Sequence, residues 1–236
     1  MRHQTLTKIG PLTFAAFILI TLGGSARTWA QELQLGIDFN TVLPQSDFKQ
    51  NVKNNGFGVS GNFLVGIGRS PLLAGLDVGV ATYGHESRKV PLSGSIPDIS
   101  VDVDTDNNIV LTHFLLRAQP CHGAVRPYLD GLVGFKYLFT KTTVQSDSSD
   151  EPLASDTNLS DFAFSYGLGG GVQSRLARLG RSRELLFDAK VRYLWGAQAR
   201  YLKEGSIGRV GGTAIFDVLS SRTNAVTLQF GVGIRF

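Results

Sequence analysis

The chain has one cysteine and one methionine in 236 residues. A lone Cys121 excludes an internal disulfide, so no covalent staple holds the fold. It sits between Pro120 and His122 with no other ligand type nearby, which reads as a bystander thiol rather than a metal ligand or nucleophile. Long apolar runs are missing after the first thirty residues, and mean hydropathy is only +0.04. A bundle of membrane helices is therefore excluded. A charge surplus is missing too. Residues 1–30 hold Arg2, Lys8 and Arg27 and no acid, which leaves 20 of the 23 Lys and Arg against 19 Asp and Glu. The basic balance of the whole chain thus gives no ground for nucleic-acid binding.

The N-terminus reads as a processing signal. Arg2 and Lys8 precede an apolar stretch of secretory length, Leu12 to Leu22. Thr28 and Ala30 then stand at −3 and −1 of a cleavage site before Gln31. Residues 1–30 are expected to be a signal peptide and residues 31–236 the mature domain. A spanning helix needs about 20 apolar residues, more than this run offers. No cysteine follows it, so the leader is not of the lipoprotein type.

What the chain does have is glycine, 28 residues of it, and a period of two. The final stretch, Ala225 to Phe236, shows that period without a break. Leu228, Phe230, Val232, Ile234 and Phe236 share a face with Val226; Thr227, Gln229, Gly231, Gly233 and Arg235 share the other. This is a β-strand with one oily face and one polar or small face. A strand of that length, tilted by about 45°, crosses a bilayer's hydrocarbon. In a soluble protein it leaves a hydrophobic edge open.

Seven earlier segments alternate in the same way: Leu33–Thr41, Gly56–Gly68, Ala74–Tyr83, Asn108–Ala118, Tyr128–Phe139, Asp161–Arg175 and Leu185–Trp195. The connections read as alternately long and short, with long loops over 43–55, 84–107, 141–160 and 196–224. An even strand count, with long loops on one side and tight turns on the other, is the pattern of outer-membrane barrels. Aromatics on the apolar faces gather at the strand ends that meet the long loops, among them Phe39, Phe57, Phe162 and Trp195. An interfacial girdle has that arrangement. The expected fold is all-β: an eight-stranded antiparallel up-and-down transmembrane β-barrel.

The charges fit only one way round. Asp38, Asp77, Asp130 and Asp188 fall on the faces opposite the apolar ones, as do Arg117, Lys136, Arg175, Lys190, Arg192 and Arg235. At the bilayer midplane a lipid-facing Arg or Lys costs about 2–4 kcal/mol, whereas a lumenal charge can be paired. An eight-stranded barrel is narrow enough for side chains to fill. The expected interior is an ion-pair and hydrogen-bond plug rather than an open pore. A soluble barrel would reverse both faces and leave these charges and the glycines outside.

On these strands the chain from Leu33 to Phe236 resembles the small outer-membrane β-barrel superfamily, of the outer membrane protein A and X type. The resemblance is most specific in the last strand. There Leu228, Phe230, Val232, Ile234 and Phe236 are similar to the signal read by the barrel-assembly machinery. It implies a bacterial outer-membrane location, contact with outer-membrane lipids and lipopolysaccharide, no cofactor and no shared catalytic site. Unlike in outer membrane protein A, no globular domain is expected after the barrel.

Three motifs are candidates for chemistry. Gly56-Phe-Gly-Val-Ser-Gly61 matches G-x-G-x-x-G, but it opens a strand rather than a helix, so no dinucleotide site is expected. Asp102, Asp104 and Asp106 resemble the start of a calcium loop, but Asn107 and His113 stand where the turn Gly and closing Glu belong. No metal site is expected there beyond a loose divalent contact. His85-Glu86-Ser87 lies at the loop end of the third strand, where Ser87 shares the face of His85 in an extended chain. A His-x-Ser pair of this kind occurs in an outer-membrane lipid A deacylase, with Asp98 here as the nearest later acid. The leading expectation is a non-enzymatic outer-membrane protein with a structural or surface-contact role. The alternatives are a narrow channel for small solutes and a lipid hydrolase built on His85 and Ser87.

Overall fold

The structure is a computed structural model that describes residues 32–236 apart from 94–95, 147–148, 181 and 211–212. The expected signal peptide lies outside the described residues. Strands β1 (Leu33–Pro44), β2 (Gly56–Gly66), β3 (Leu72–Ser93), β4 (Ile96–Ala118), β5 (Val125–Ser146), β6 (Ser149–Arg178) and β7 (Glu184–Gly196) follow one another round a wall. A last long strand, β12 (Ala225–Arg235), closes that wall against both β7 and β1. All eight pairings are antiparallel. The closing seam runs from Gln34 opposite Arg235 to Pro44 opposite Ala225, with Phe39 facing Phe230. Every strand thereby has two neighbours, and no edge is left to solvent or lipid.

The period of two decides which face is which. Phe230, Val191 and Val133 are 53%, 50% and 46% exposed, while Asp130 and Arg192 are 2% and 1% exposed. The oily faces point away from the axis and the ionised ones toward it. A soluble barrel has the opposite arrangement. The outside is a continuous apolar surface that only hydrocarbon satisfies. Near the long-connection ends the outward aromatics touch: Tyr137 meets Phe162 at 4.5 Å and Phe139 at 5.3 Å, and Trp195 meets Tyr193 at 4.7 Å and Tyr166 at 5.4 Å. Phe39 stacks on Phe57 across the β1–β2 pair at 6.3 Å. This is a transmembrane barrel with its aromatic girdle in place.

Inward glycines make room for long side chains. A Cβ on Gly169 would run into the side chain of Arg192, and one on Gly171 into the ring of Tyr128. The short connections are turns in which Gly68, Gly123 and Gly180 take positive φ (61°, 125° and 84°).

The long connections are where the expectation fails. Residues 84–107 and 141–160 were expected to be loops. Instead, β3 and β4 stay paired out to Ser93 opposite Ile96, and β5 and β6 out to Ser146 opposite Ser149. The ladder is locally irregular at Thr82/Gly84 and Pro91/Ser93, so Pro91 is accommodated where the register shifts. These hairpins continue past the girdle, with the ladders shifting register beside Pro91 and Pro152. The segment 197–223 is likewise not a plain loop. Within it β8 (Gln198–Tyr201) pairs with β11 (Leu219–Arg222), and β9 (Ile207–Val210) with β10 (Thr213–Phe216). The first long connection holds a short helix, α1 (Ser46–Asn51), where only loop was expected.

Candidate functional site

The barrel interior is filled in three tiers. At the short-turn end Gln34 donates to Gln119 (3.1 Å), Gln119 to Gln173 (2.7 Å), and Gln173 to Asp188 (3.3 Å). Beside this amide ladder Glu184 accepts from Arg126 (2.9 Å) and Arg175 (2.8 Å), and Glu32 accepts from Arg235 (2.7 Å). Arg235 was expected to join the lumen charges, and it sits at their rim. Arg126 was missed in the sequence because the alternation reads only from Tyr128, past Pro127, whereas the strand begins at Val125. It is nonetheless 1% exposed and faces inward.

The middle tier is the charge network. Asp130 takes a two-pronged contact from Arg117 (2.8 and 3.0 Å) and a second from Arg192 (2.9 Å). Arg192 also reaches Asp77 at 2.9 Å. Lys190 donates to Asp38 at 2.6 Å and lies 3.4 Å from Asp188, which accepts from the Tyr128 hydroxyl at 2.6 Å. The Arg117 guanidinium stands 3.6 Å over the Tyr128 ring. Residues from five different strands thus share a few carboxylates. Such groups are tolerable at this depth only when each one has partners.

Lys136 is the exception. It is fully buried, and among the described residues no carboxylate lies within ion-pair distance of its ammonium. It donates instead to the backbone carbonyls of Leu194 (3.2 Å) and Thr223.

The third tier is apolar and was not anticipated. Phe48 of α1 drops into the long-connection mouth. Its ring lies 5.1 Å from that of Tyr201 and 5.9 Å from that of Tyr83, both edge-on. Val42, Val52 and Ala199 pack with them, all 3% exposed or less. Tyr201 is held from above by Asn51 (3.0 Å) and Ser221 (2.6 Å). The interior is therefore a charge plug under a greasy cap. Asp38, Asp77, Asp130, Lys136 and Arg192 are all 3% exposed or less, so side chains occupy the middle of the lumen.

Outside the membrane, His85 has an acid, though not Asp98. It lies opposite Asp106 in the β3–β4 ladder, with Nδ1 2.7 Å from the carboxylate. The side chain of Asp98 lies outside the described residues. The hydrogen bond to Asp106 raises the His85 pKa above its ordinary value, and the nearby charges of Asp104 and Glu204 act in the same direction. No hydrogen bond joins Ser87 to His85 among the described residues, and Ser87 is exposed opposite Asp104. The strand also holds the segment 203–206. The His85 N–H donates to Glu204 (3.0 Å), and Gly205 donates to Glu86 (2.9 Å). Asp102, Asp104 and Asp106 are extended strand, not a wrapped loop, and Asp102 lies 3.8 Å from Lys89.

No known family profile matches the chain, and no curated protein sequence does. Among solved structures it is similar to neisserial surface protein A (13% identity, 87% of this chain and 95% of that one, TM-score 0.36). It is also similar to the attachment invasion locus protein of Yersinia pestis (15%, 87% and 97%, TM-score 0.37). A third is OprG of Pseudomonas aeruginosa (16%, 88% and 97%, TM-score 0.39).

Proposed function

We propose that the chain is a non-enzymatic integral protein of the outer membrane, with the barrel as a closed anchor and the paired hairpins as a contact surface outside the cell. The observation that carries this is the sealed interior. A charge network paired everywhere but at Lys136, with the Phe48 cap above it, occupies the lumen, which suits an anchor and does not suit a conduit. The hairpins of β3–β4 and β5–β6 extend well past the aromatic girdle, and stiff paired ribbons hold a surface in place better than loose loops do. On this reading the barrel partners are outer-membrane lipids and lipopolysaccharide. The assembly machinery engages the β12 face of Leu228, Phe230, Val232, Ile234 and Phe236 during insertion.

Purified protein in a planar bilayer tests the anchor. The expected record is a flat baseline with no stable step. Reproducible single-channel steps would favour the narrow channel instead. The hydrolase alternative keeps the His85–Asp106 pair, but a Ser nucleophile also needs its base within hydrogen-bond reach, and that contact is missing. Mass spectra of lipid A from cells with and without the protein should show the same acyl number; a lost chain would reinstate Ser87 as a nucleophile.

A further inference from the structure

The lipid-facing wall is not uniform. Successive rungs put Val65, Ala74, Leu116, Gly131 and Leu168 in one row across β2 to β6, and Phe63, Leu76, Phe114, Val133 and Tyr166 in the next. Ala74 and Gly131 flank Leu116 beneath a shelf of large side chains. The result is an apolar groove of about 660 Å³ on β3, β4 and β5, within the size range of small-molecule sites.

Gly131 has no packing reason to be glycine. Its φ is ordinary, and an added Cβ would meet nothing nearer than the Leu116 carbonyl at 3.9 Å. The inward Gly169 and Gly171 are different, since side chains fill their space. Glycine in a strand interior weakens it and often marks the close approach of something else. Here the approach is from the membrane side.

The foot of the groove is basic. The turns below it touch, with Pro71 accepting from the Gln119 N–H (2.8 Å) and Cys121 lying 3.8 Å from the Ser70 carbonyl. That contact brings the exposed Arg69 and His122 into neighbouring turns below the Ala74 row, from which Pro71 is three residues, about 10 Å of extended chain, away. No ion pair engages Arg69 among the described residues. The described short-turn rim leans the same way: Arg126, Arg175 and Arg235 share Glu32 and Glu184, and Arg178 and Arg183 stand beside them. A row of cationic side chains at headgroup height draws anionic lipid.

We infer that this groove is a binding site for one acyl chain of an anionic phospholipid in the leaflet on the short-turn side, with Arg69 holding the phosphate. Ala74 and Gly131 make the space for the chain. The basic turn selects the headgroup.

Native mass spectrometry of the full barrel, released from nanodiscs of equimolar phosphatidylglycerol and phosphatidylcholine, tests this. The expected spectrum is dominated by one retained lipid, with phosphatidylglycerol favoured about fivefold, the factor expected of one basic residue near a lipid surface. Gly131→Leu fills the groove and should abolish that adduct. Ala74→Leu should do the same and serves if the first variant folds poorly, as judged by heat-dependent gel mobility. Gly61→Leu, an outward glycine outside the groove, should keep it. Arg69→Ala should retain lipid but lose the headgroup preference. Three results would each overturn the site: no predominant single-lipid adduct, an adduct that survives both filled grooves, or a dimer in its place.

Discussion

Lys136 of β5 donates its ammonium protons to the backbone carbonyl of Thr223, 87 residues further on and across the lumen. Thr223 lies just before β12, so the contact ties the returning arm of the fourth long connection to the opposite wall. The remaining buried bases of the middle tier have carboxylates; Lys136 has only carbonyls. Removing it strands no acid. Relief from a buried charge offsets the loss of a donor to two carbonyls, each worth roughly 1–3 kcal/mol when left unmade. Lys136→Met should therefore unfold in vesicles within about 1 kcal/mol of the parent. The arm should also loosen, so trypsin should cut at Lys203 or Arg200 faster. A loss above about 3 kcal/mol would mean that the ammonium has an ionic partner.

Arg192 is the opposite case. It holds both Asp77 and Asp130, and both carboxylates are nearly inaccessible. Arg192→Leu leaves two buried acids with one fewer cation between them. The expected loss is about 3–5 kcal/mol, the usual size for breaking a buried pair from one side. Urea unfolding in vesicles, followed by Trp195 fluorescence, measures it. Asp77→Asn in the same background should recover part of the loss, since Arg192 is the one ion-pair partner of Asp77 among the described residues whereas Asp130 keeps Arg117; a further fall would point to a packing role for Arg192 instead.

The wall of this barrel was legible because lipid and lumen impose opposite chemistry on alternate residues. The inward placing of Asp38, Asp77, Asp130, Asp188, Arg117, Lys136, Lys190 and Arg192 follows from that alone. The apolar part of the interior, the cap included, was not legible. Ile109, Leu111 and Leu115 face inward, so β4 reads as oily on both faces and its polarity looks muddled. Phe48 stands in a segment of only six helical residues, too short for a periodic signal. The hairpin extensions were legible in principle. Ser100-Val-Asp-Val-Asp-Thr-Asp106 alternates as strictly as any strand, but its valines are too few and its acids too many to suggest a strand. A structureless connection of some twenty residues is itself uncommon, and that should have argued for pairing.

His85 should titrate above its ordinary value. Its Nδ1 contacts Asp106 at 2.7 Å, and Asp104 and Glu204 stand close enough to act in the same direction. Because the folded pKa is the higher one, the pair's stabilisation is fully present below about pH 6.5, the ordinary histidine value, and is lost as pH rises through the folded pKa. NMR of the imidazole in detergent should show a midpoint above 6.5, and Asp106→Asn should bring it down. A midpoint at or below 6.5 in the parent would remove the pair as a working contact.

Phe236 separates assembly from stability. Its backbone N–H donates to Leu33 at 2.9 Å, one rung beyond the seam that begins at Gln34 opposite Arg235. The ring is 41% exposed toward the lipid side, with the Arg183 guanidinium 5.3 Å from its centre. Phe236→Ala keeps the rung and removes the ring, while the eleven paired positions from Gln34 to Pro44 stay intact. The finished barrel should therefore lose no more than about 2 kcal/mol, the burial of one partly covered aromatic. Insertion in cells is a different matter if this ring is what the assembly machinery reads. Folded protein in the outer membrane should then fall severalfold, while refolding of the same variant into lipid vesicles proceeds almost as in the parent. An equal loss in both settings would assign the ring to closure of the seam, and unchanged levels in cells would assign it to neither.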